Sequence, residues 1–135
     1  MTTFAPEALK GLIDSTPNVA VLLNLPDYYS KRALPEKGVD SEVAYDCPRT
    51  QLMIRTAVKG TTIGHHFHTV CDEYVIVVGG KGEILVNGAW VPVKVGDVHV
   101  CPRGIVHDTR ALEENLQYLS IFTPHLPVGT DINWL

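Results

Sequence analysis

The chain is short of positive charge. Its 135 residues carry 11 Lys and Arg against 15 Asp and Glu, a formal net charge of −4. A nucleic-acid-binding surface draws its affinity from a basic footprint on the phosphates, so no nucleic-acid partner is expected. Long apolar runs are missing as well. None reaches the roughly 18–20 residues that a bilayer-spanning helix needs, so no membrane partner is expected. The opening residues, MTTFAPEALKGLID, have neither a basic n-region nor an apolar h-region, and a cytoplasmic protein is the resulting expectation. Cysteine is scarce and unpatterned: Cys47, Cys71 and Cys101 are odd in number and form no C-x-x-C pair. They read as free thiols in a reducing compartment, not as a disulfide framework. Helical periodicity is confined to the first fourteen residues, where Ala5, Ala8 or Leu9, Leu12 and Ile13 recur behind Pro6 and Glu7.

What the chain has in plenty is turn punctuation, with 11 Gly and 9 Pro. Between these breaks lie short β-like runs. Strands are predicted over 51–58, 73–78, 83–86, 89–93, 98–101 and 116–123. Asn87-Gly88 separates two of them and tolerates the positive φ angles of a type I′ hairpin turn. Residues 19–25 (VAVLLNL) read as a buried strand or a continuation of helix, the strand being preferred, and 26–38 (PDYYSKRALPEKG) as a loop. Many short strands with turns between them predict an all-β sandwich or barrel, with a short helical segment at the N-terminus. The length suits one domain. It divides into an N-terminal extension over 1–41, a β-barrel over 42–123 and an irregular tail over 124–135.

Among six histidines, three fall into a pattern with a carboxylate. His66 and His68 are two apart, and residues two apart on a strand share a face. Glu73 follows across a short turn. His107 comes after Pro102-Arg103-Gly104, a sharp turn that re-aims the chain. A single histidine in a β protein is ordinarily a surface or hydrogen-bonded core residue, and a lone strand-end glutamate is ordinarily solvated. Together, three imidazoles and one carboxylate make a nitrogen/oxygen set suited to Fe(II), Mn(II), Ni(II), Co(II) or Zn(II). A carboxylate facing inward among histidines also needs a positive partner, which a cation supplies. His65 falls on the opposite strand face from His66, His99 on the opposite face from Val98 and Val100, and His125 in the solvated tail. Arg55 and Arg103 suit an anionic ligand, since guanidinium matches carboxylate geometry, though a solvated strand or turn arginine is the ordinary reading of each. Arg55, Tyr45, Tyr118 and His99 are the candidates for lining a substrate pocket. Cys71 and Cys101 read as small buried hydrophobes.

The spacing Gly60-x5-His66-x-His68-x4-Glu73-x6-Gly80 resembles the first cupin motif, and Gly96-x5-Pro102-x-Gly104-x2-His107 resembles the second. The family's asparagine, which follows the second-motif histidine with three residues between, is replaced here by Ala111. Fifteen residues separate Gly80 from Gly96, the short spacing of small single-domain microbial cupins. The resemblance implies a jelly-roll barrel in which His66, His68, Glu73 and His107 ligate one divalent metal, with Glu73 also a candidate catalytic base. It implies a metal-dependent enzyme on a small polar organic substrate, oxygenase-type with Fe(II) or Mn(II) first, or a non-redox isomerase, cyclase or lyase. A metal-containing module that binds a sugar or other small ligand without turnover is the alternative. The extension outside the motifs is expected to pack on or swap into a second copy, giving a homodimer, with strands paired edge to edge or face to face through Tyr74, Ile76 and Val78.

Overall fold

The computed structural model describes residues 20–126 and 130–135. The N-terminal helix expected over the first fourteen residues lies outside the described residues. The described chain forms one short helix, α1 (Leu25–Ser30), and nine strands. These are β1 (Val39–Cys47), β2 (Thr50–Ala57), β3 (His66–Phe67), β4 (Asp72–Val86), β5 (Ala89–Lys94), β6 (Val98–Cys101), β7 (Asp108–Arg110), β8 (Leu116–Thr123) and β9 (Asn133–Trp134).

The strand expected over 19–25 does not form among the described residues. Residues 20–24 are irregular, and Leu25 opens a helix. The reason is local chemistry. The Asn24 side chain accepts the backbone N–H of Asp27 at 3.0 Å, Pro26 sits in the first turn and Asp27 places a negative charge there. Those three residues make a helix start that outweighs the apolar run before them. The expected loop over 26–38 therefore begins as helix. Two tyrosines fasten it to the barrel: Tyr28 Oη donates to Glu42 Oε2 at 2.8 Å, and Tyr29 Oη donates to the Arg55 carbonyl at 3.2 Å.

All the pairings are antiparallel, and they wrap into two layers. One runs β1-β2-β8-β4, with β6 pairing the outer side of the first half of β4. The second half of β4 leaves that layer and pairs with β5 and β7. The sequence suggested two strands, over 73–78 and 83–86; they are one strand of 15 residues. Gly79 and Gly80 mark a bend and a register shift rather than an end. At Gly80, with φ +73°, an added Cβ would run into the Asn115 carbonyl, so the close approach of β8 requires glycine there. The Asn87-Gly88 turn has φ of 50° and 85°, as its residue types demand.

Side chains alternate along β8: Leu116, Tyr118, Ser120 and Phe122 are buried and the residues between are partly exposed. Leu116 and Tyr118 join Ala57, Val75, Val77, Ile84 and Ala111 in the main core. Phe122 belongs to a second cluster with Cys71 and Leu126, against which Met53 and Ile132 pack. The barrel is thus filled with apolar side chains at one level along β8 and left partly open near Phe122, where the histidines lie. Ala111, at the place of the family's asparagine, is itself core: its N–H donates to Thr61 O at 2.9 Å, and Gly60 N–H donates to its carbonyl at 2.8 Å. Asn115 closes the same corner by accepting Lys59 N–H at 2.8 Å.

Candidate metal centre

β3 and the turn after β6 bring the histidines together. His66 and His107 exchange two backbone hydrogen bonds, of 3.1 and 2.8 Å. Gly104, at φ +82°, lets the chain reverse after Pro102, and its N–H donates to the His68 carbonyl. The ring centroids of His66, His68 and His107 lie 4.3 to 5.3 Å apart in all three pairs. All three residues are buried, and each offers a ring nitrogen within 4.8 Å of the others. Glu73, at the start of β4, is buried beside them.

The hydrogen bonds fix which nitrogen each ring presents. Nδ1 of His66 faces the Gly64 carbonyl at 2.7 Å, that of His68 the Asp131 carbonyl at 2.8 Å and that of His107 the Ile105 carbonyl at 3.1 Å. A carbonyl only accepts, so in His66 and His68 Nδ1 carries the hydrogen and the neutral ring's Nε2 keeps its lone pair; His107 Nδ1 also meets Cys101 Sγ at 3.1 Å. Yet Nε2 of His68 and of His107 lie 3.2 and 3.0 Å from the same oxygen, Glu73 Oε1. Lone pairs on nitrogen and carboxylate do not approach so closely unless protons or a cation sit among them. A group of three imidazoles and a carboxylate with Nδ1 anchored to the backbone fits a divalent transition metal on donor chemistry and on ring orientation alike.

The charges agree. Burial opposes ionisation of Glu73, but hydrogen bonds with His107 and His68, helped by the Arg55 guanidinium, hold it well below the usual carboxylate range. Burial also disfavours a charged His107, but its contacts with Cys101 Sγ and Glu73 outweigh that and raise it to about 10. Burial, with the neighbouring imidazoles, lowers His66. The site thus balances one negative carboxylate with positive charge on His107, the balance that a bound cation would take over. The other Glu73 oxygen, Oε2, accepts from Ser120 Oγ at 2.9 Å and lies 4.0 Å from Arg55 Nη1.

A cavity of about 140 Å³ opens beside the group. Gln51, Arg55, His66, His68 and Glu73 supply its polar wall, and Met53, Ile63, Phe122, Leu126, Ile132 and Trp134 its apolar one. Of the four expected pocket residues, Arg55 reaches this cavity. Tyr45 does not: it lies with Ala20, Val21, Leu23 and Leu52 at a separate hollow beside the N-terminal segment. Tyr118 points inward but is fully buried in the apolar core, one level away along β8. His99 also points inward, opposite Val75 on β4; it sits behind His107, ring centroids 6.5 Å apart, and borders a different hollow near β5. His65 donates from outside, Nδ1 2.8 Å from the buried Asp108 carboxylate, and His125 pairs with Asp46 at 3.1 Å. Arg103 is turned toward Asp72, its Nε 3.3 Å from that carboxylate.

Three site residues escaped the sequence reading. Ser120 and Gln51 are polar residues on the inward parity of β8 and β2, a signal that strand alternation alone carries. Asp131 had no such signal. It lies in the tail taken as irregular, where β9 in fact pairs with β3 and sets Trp134 against His66, ring centroids 5.0 Å apart. The Asp131 carbonyl holds His68, and its carboxylate accepts from Thr69 N–H, Thr69 Oγ and Val70 N–H.

Comparison with known proteins places this geometry. An uncharacterised protein of Aquifex aeolicus (strain VF5) is 37% identical over 59 residues, 44% of this chain; the match spans about half, 49%, of that relative. Among solved structures, KdgF from Halomonas sp. superposes with a TM-score of 0.63 at 24% identity, covering 66% of this chain and 81% of that one. The polyketide cyclase RemF from Streptomyces resistomycificus gives a TM-score of 0.63 at 17% identity, covering 76% of each. These identities support a shared fold. The sequence pattern of the Cupin domain family matches residues 53–122, from β2 through β8 and across the whole histidine group, and the chain belongs to that family.

Proposed function

We propose that this protein is a metal-dependent enzyme acting on a small organic molecule, with His66, His68, His107 and Glu73 holding one divalent transition metal and oxygenase chemistry as its leading activity. The observation that carries this reading is the approach of two imidazole Nε2 atoms to one oxygen of Glu73 while the Nδ1 hydrogens are committed to carbonyls. When bound, Fe(II) or Mn(II) supplies dioxygen redox chemistry, and Ni(II), Zn(II) or Co(II) supplies Lewis-acid polarisation of a substrate oxygen.

The chain's own residues do the rest. The backbone carbonyls of Gly64, Ile105 and Asp131 lock the three rings so that no reorganisation is needed at the site. Hydrogen bonds with His107 and His68, helped by the Arg55 guanidinium, hold Glu73 charged against its burial, and Ser120 anchors its second oxygen. A carboxylate kept so far below neutrality is a poor general base, so in this reading Glu73 holds the ion and balances charge. Met53, Phe122, Leu126, Ile132 and Trp134 keep bulk water from the reacting groups.

Anaerobic reconstitution with Fe(II), followed by oxygen-uptake assays with catechols, β-diketones, thiols and keto acids, tests the reading. Uptake with one class supports the oxygenase. Conversion without uptake under Ni(II), Zn(II) or Co(II) supports the second reading, a non-redox isomerase, cyclase or lyase, to which the likeness to a structure named as a polyketide cyclase lends weight. Ligand-induced stabilisation with no turnover under any metal leaves a binding module and overturns the enzyme.

A further inference from the structure

We propose that the substrate taken by this site is a small carboxylate with an apolar body no larger than about a benzene ring, and that Arg55 receives its carboxylate. The inference rests on the metal-dependent reading above and adds the substrate class to it.

Three observations carry it. The first is charge. Among the described residues, Arg55 is the one Lys or Arg side chain on the cavity wall, and Glu73 is the one carboxylate there. A divalent ion together with Arg55 outweighs that single negative charge, so the occupied site favours an anion. The second is the state of the guanidinium. Arg55 is mostly withdrawn from solvent, its side chain 19% exposed. Nε donates to Ser41 Oγ at 3.0 Å, Nη1 reaches Ser120 Oγ at 3.5 Å, and Cζ lies 5.3 Å from the centre of the Tyr118 ring. Glu73 Oε2 is no closer than 4.0 Å. Among the described residues Nη2 meets no acceptor. The planar fork is therefore fixed by packing while keeping donors for a carboxylate, the geometry it matches in two parallel bonds.

The third observation is size and lining. The cavity measures about 140 Å³, close to the roughly 150 Å³ apolar cavity that accepts benzene in another protein. Apart from the metal group, Arg55 and Gln51, its walls are aliphatic or aromatic, with Phe122 and Trp134 among them. A sugar-sized polyol would leave its hydroxyls against those walls without partners, a cost of desolvation with no return. A compact carboxylate pairs its charged end with Arg55 and lays its body on the apolar side.

Calorimetric titration of the full chain decides the matter, using benzoate as probe, benzamide as its uncharged counterpart and 2-naphthoate as the oversized one. Zn(II) binding is measured first and scored separately, so failure of the metal reading shows as absent Zn(II) binding whatever the organic probes do. On the Zn(II)-loaded protein, benzoate binds, benzamide binds at least tenfold more weakly, and 2-naphthoate is rejected. At saturating Zn(II), Arg55→Met weakens benzoate by about 10- to 100-fold, the loss of charge-assisted hydrogen bonds, and Arg55→Lys recovers part of it. The proposal is overturned if benzoate and benzamide bind alike, or if Arg55→Met binds benzoate as wild type does. The benzoate–benzamide comparison needs no variant, so it stands even if Arg55→Met fails to fold.

Discussion

At the scale of single residues, the centre is defined by what each side chain has already given away. His66, His68 and His107 turn Nδ1 to carbonyls, so in the neutral rings Nε2 has no hydrogen to offer Glu73, and without a cation the contact needs an extra proton, as on His107. A ligand that removes that conflict stabilises the fold. Zn(II) or Co(II) at one hundred times its dissociation constant is expected to add about 2.7 kcal/mol to unfolding, read as a rise in melting temperature that a chelator reverses. His66→Ala and His107→Ala are each expected to weaken the metal by more than the roughly 10- to 100-fold typical of changes to residues behind the ligands. A melting temperature indifferent to metal and chelator would refute the assignment. The four residues were legible in the sequence because their separations are set by strand parity and two turns. The pocket residues were only half legible. Alternation put His99 on the opposite face from Val98 and Val100, and both His99 and Tyr118 point inward. Strand parity does not tell depth along the barrel: Tyr118 lies in the apolar core, and His99 sits behind His107 beside a hollow near β5.

At the scale of elements, two short pieces of chain control the barrel's ends. The first is the segment carrying Asp131 and β9. Burial works against the Asp131 charge, but the Thr69 and Val70 donors more than offset this and hold it at about 2, so the clasp is closed at neutral pH. Asp131→Ala removes the carboxylate that ties this segment to residues 69 and 70 while leaving the carbonyl that orients His68. Metal affinity is expected to fall about 10- to 100-fold, as for other groups behind a ligand, with a red shift in tryptophan emission as Trp134 leaves His66. Unchanged affinity and emission would show that the clasp does not position the ring. The second piece is α1. Burial and the hydrogen bond to Glu42 push Tyr28 up to about 12, and burial also raises Tyr29. A raised folded-state pKa contributes stability that is complete below the unfolded value near 10 and is lost as pH climbs toward 12. Tyrosinate absorbance should therefore appear late for these two groups, together with release of the helix, and Tyr28→Phe, which removes one of the two ionisations that drive release, should shift it to higher pH with Tyr29 as the remaining trigger. A helix that stays docked while Tyr28 ionises near 10 would contradict this. Neither piece was readable from periodicity. The helix is too short to show a period, and β9 is two residues whose pairing is decided by β3 alone.

At the scale of the whole molecule, the all-β architecture followed from alternation and turn chemistry, because one buried face per strand is what a closed two-layer barrel requires. Its outer surface raises a separate question. Across the layer of β6, β4 and β8, Val100 stands opposite Tyr74 and Tyr74 opposite Ile121; Val98 stands opposite Ile76 and Ile76 opposite Leu119. These two rows contain no charged residue, and Val98 and Val100 are 59% and 53% exposed. The helix covers a different part of this face, near Val78 and Gln117. β6 is an edge strand of only four residues, a poor template for adding another strand edge to edge. The remaining way to cover the rows is face to face, and an uncharged face is complementary to a second copy of itself about a two-fold axis. We therefore expect a homodimer in sedimentation at micromolar concentration. Val98→Lys with Val100→Lys should convert it to monomer without loss of β-sheet circular dichroism or of metal binding, since both side chains point away from the site. A wild-type chain that sediments as monomer at that concentration would rule the contact out and leave the two rows as ordinary solvent-facing apolar surface.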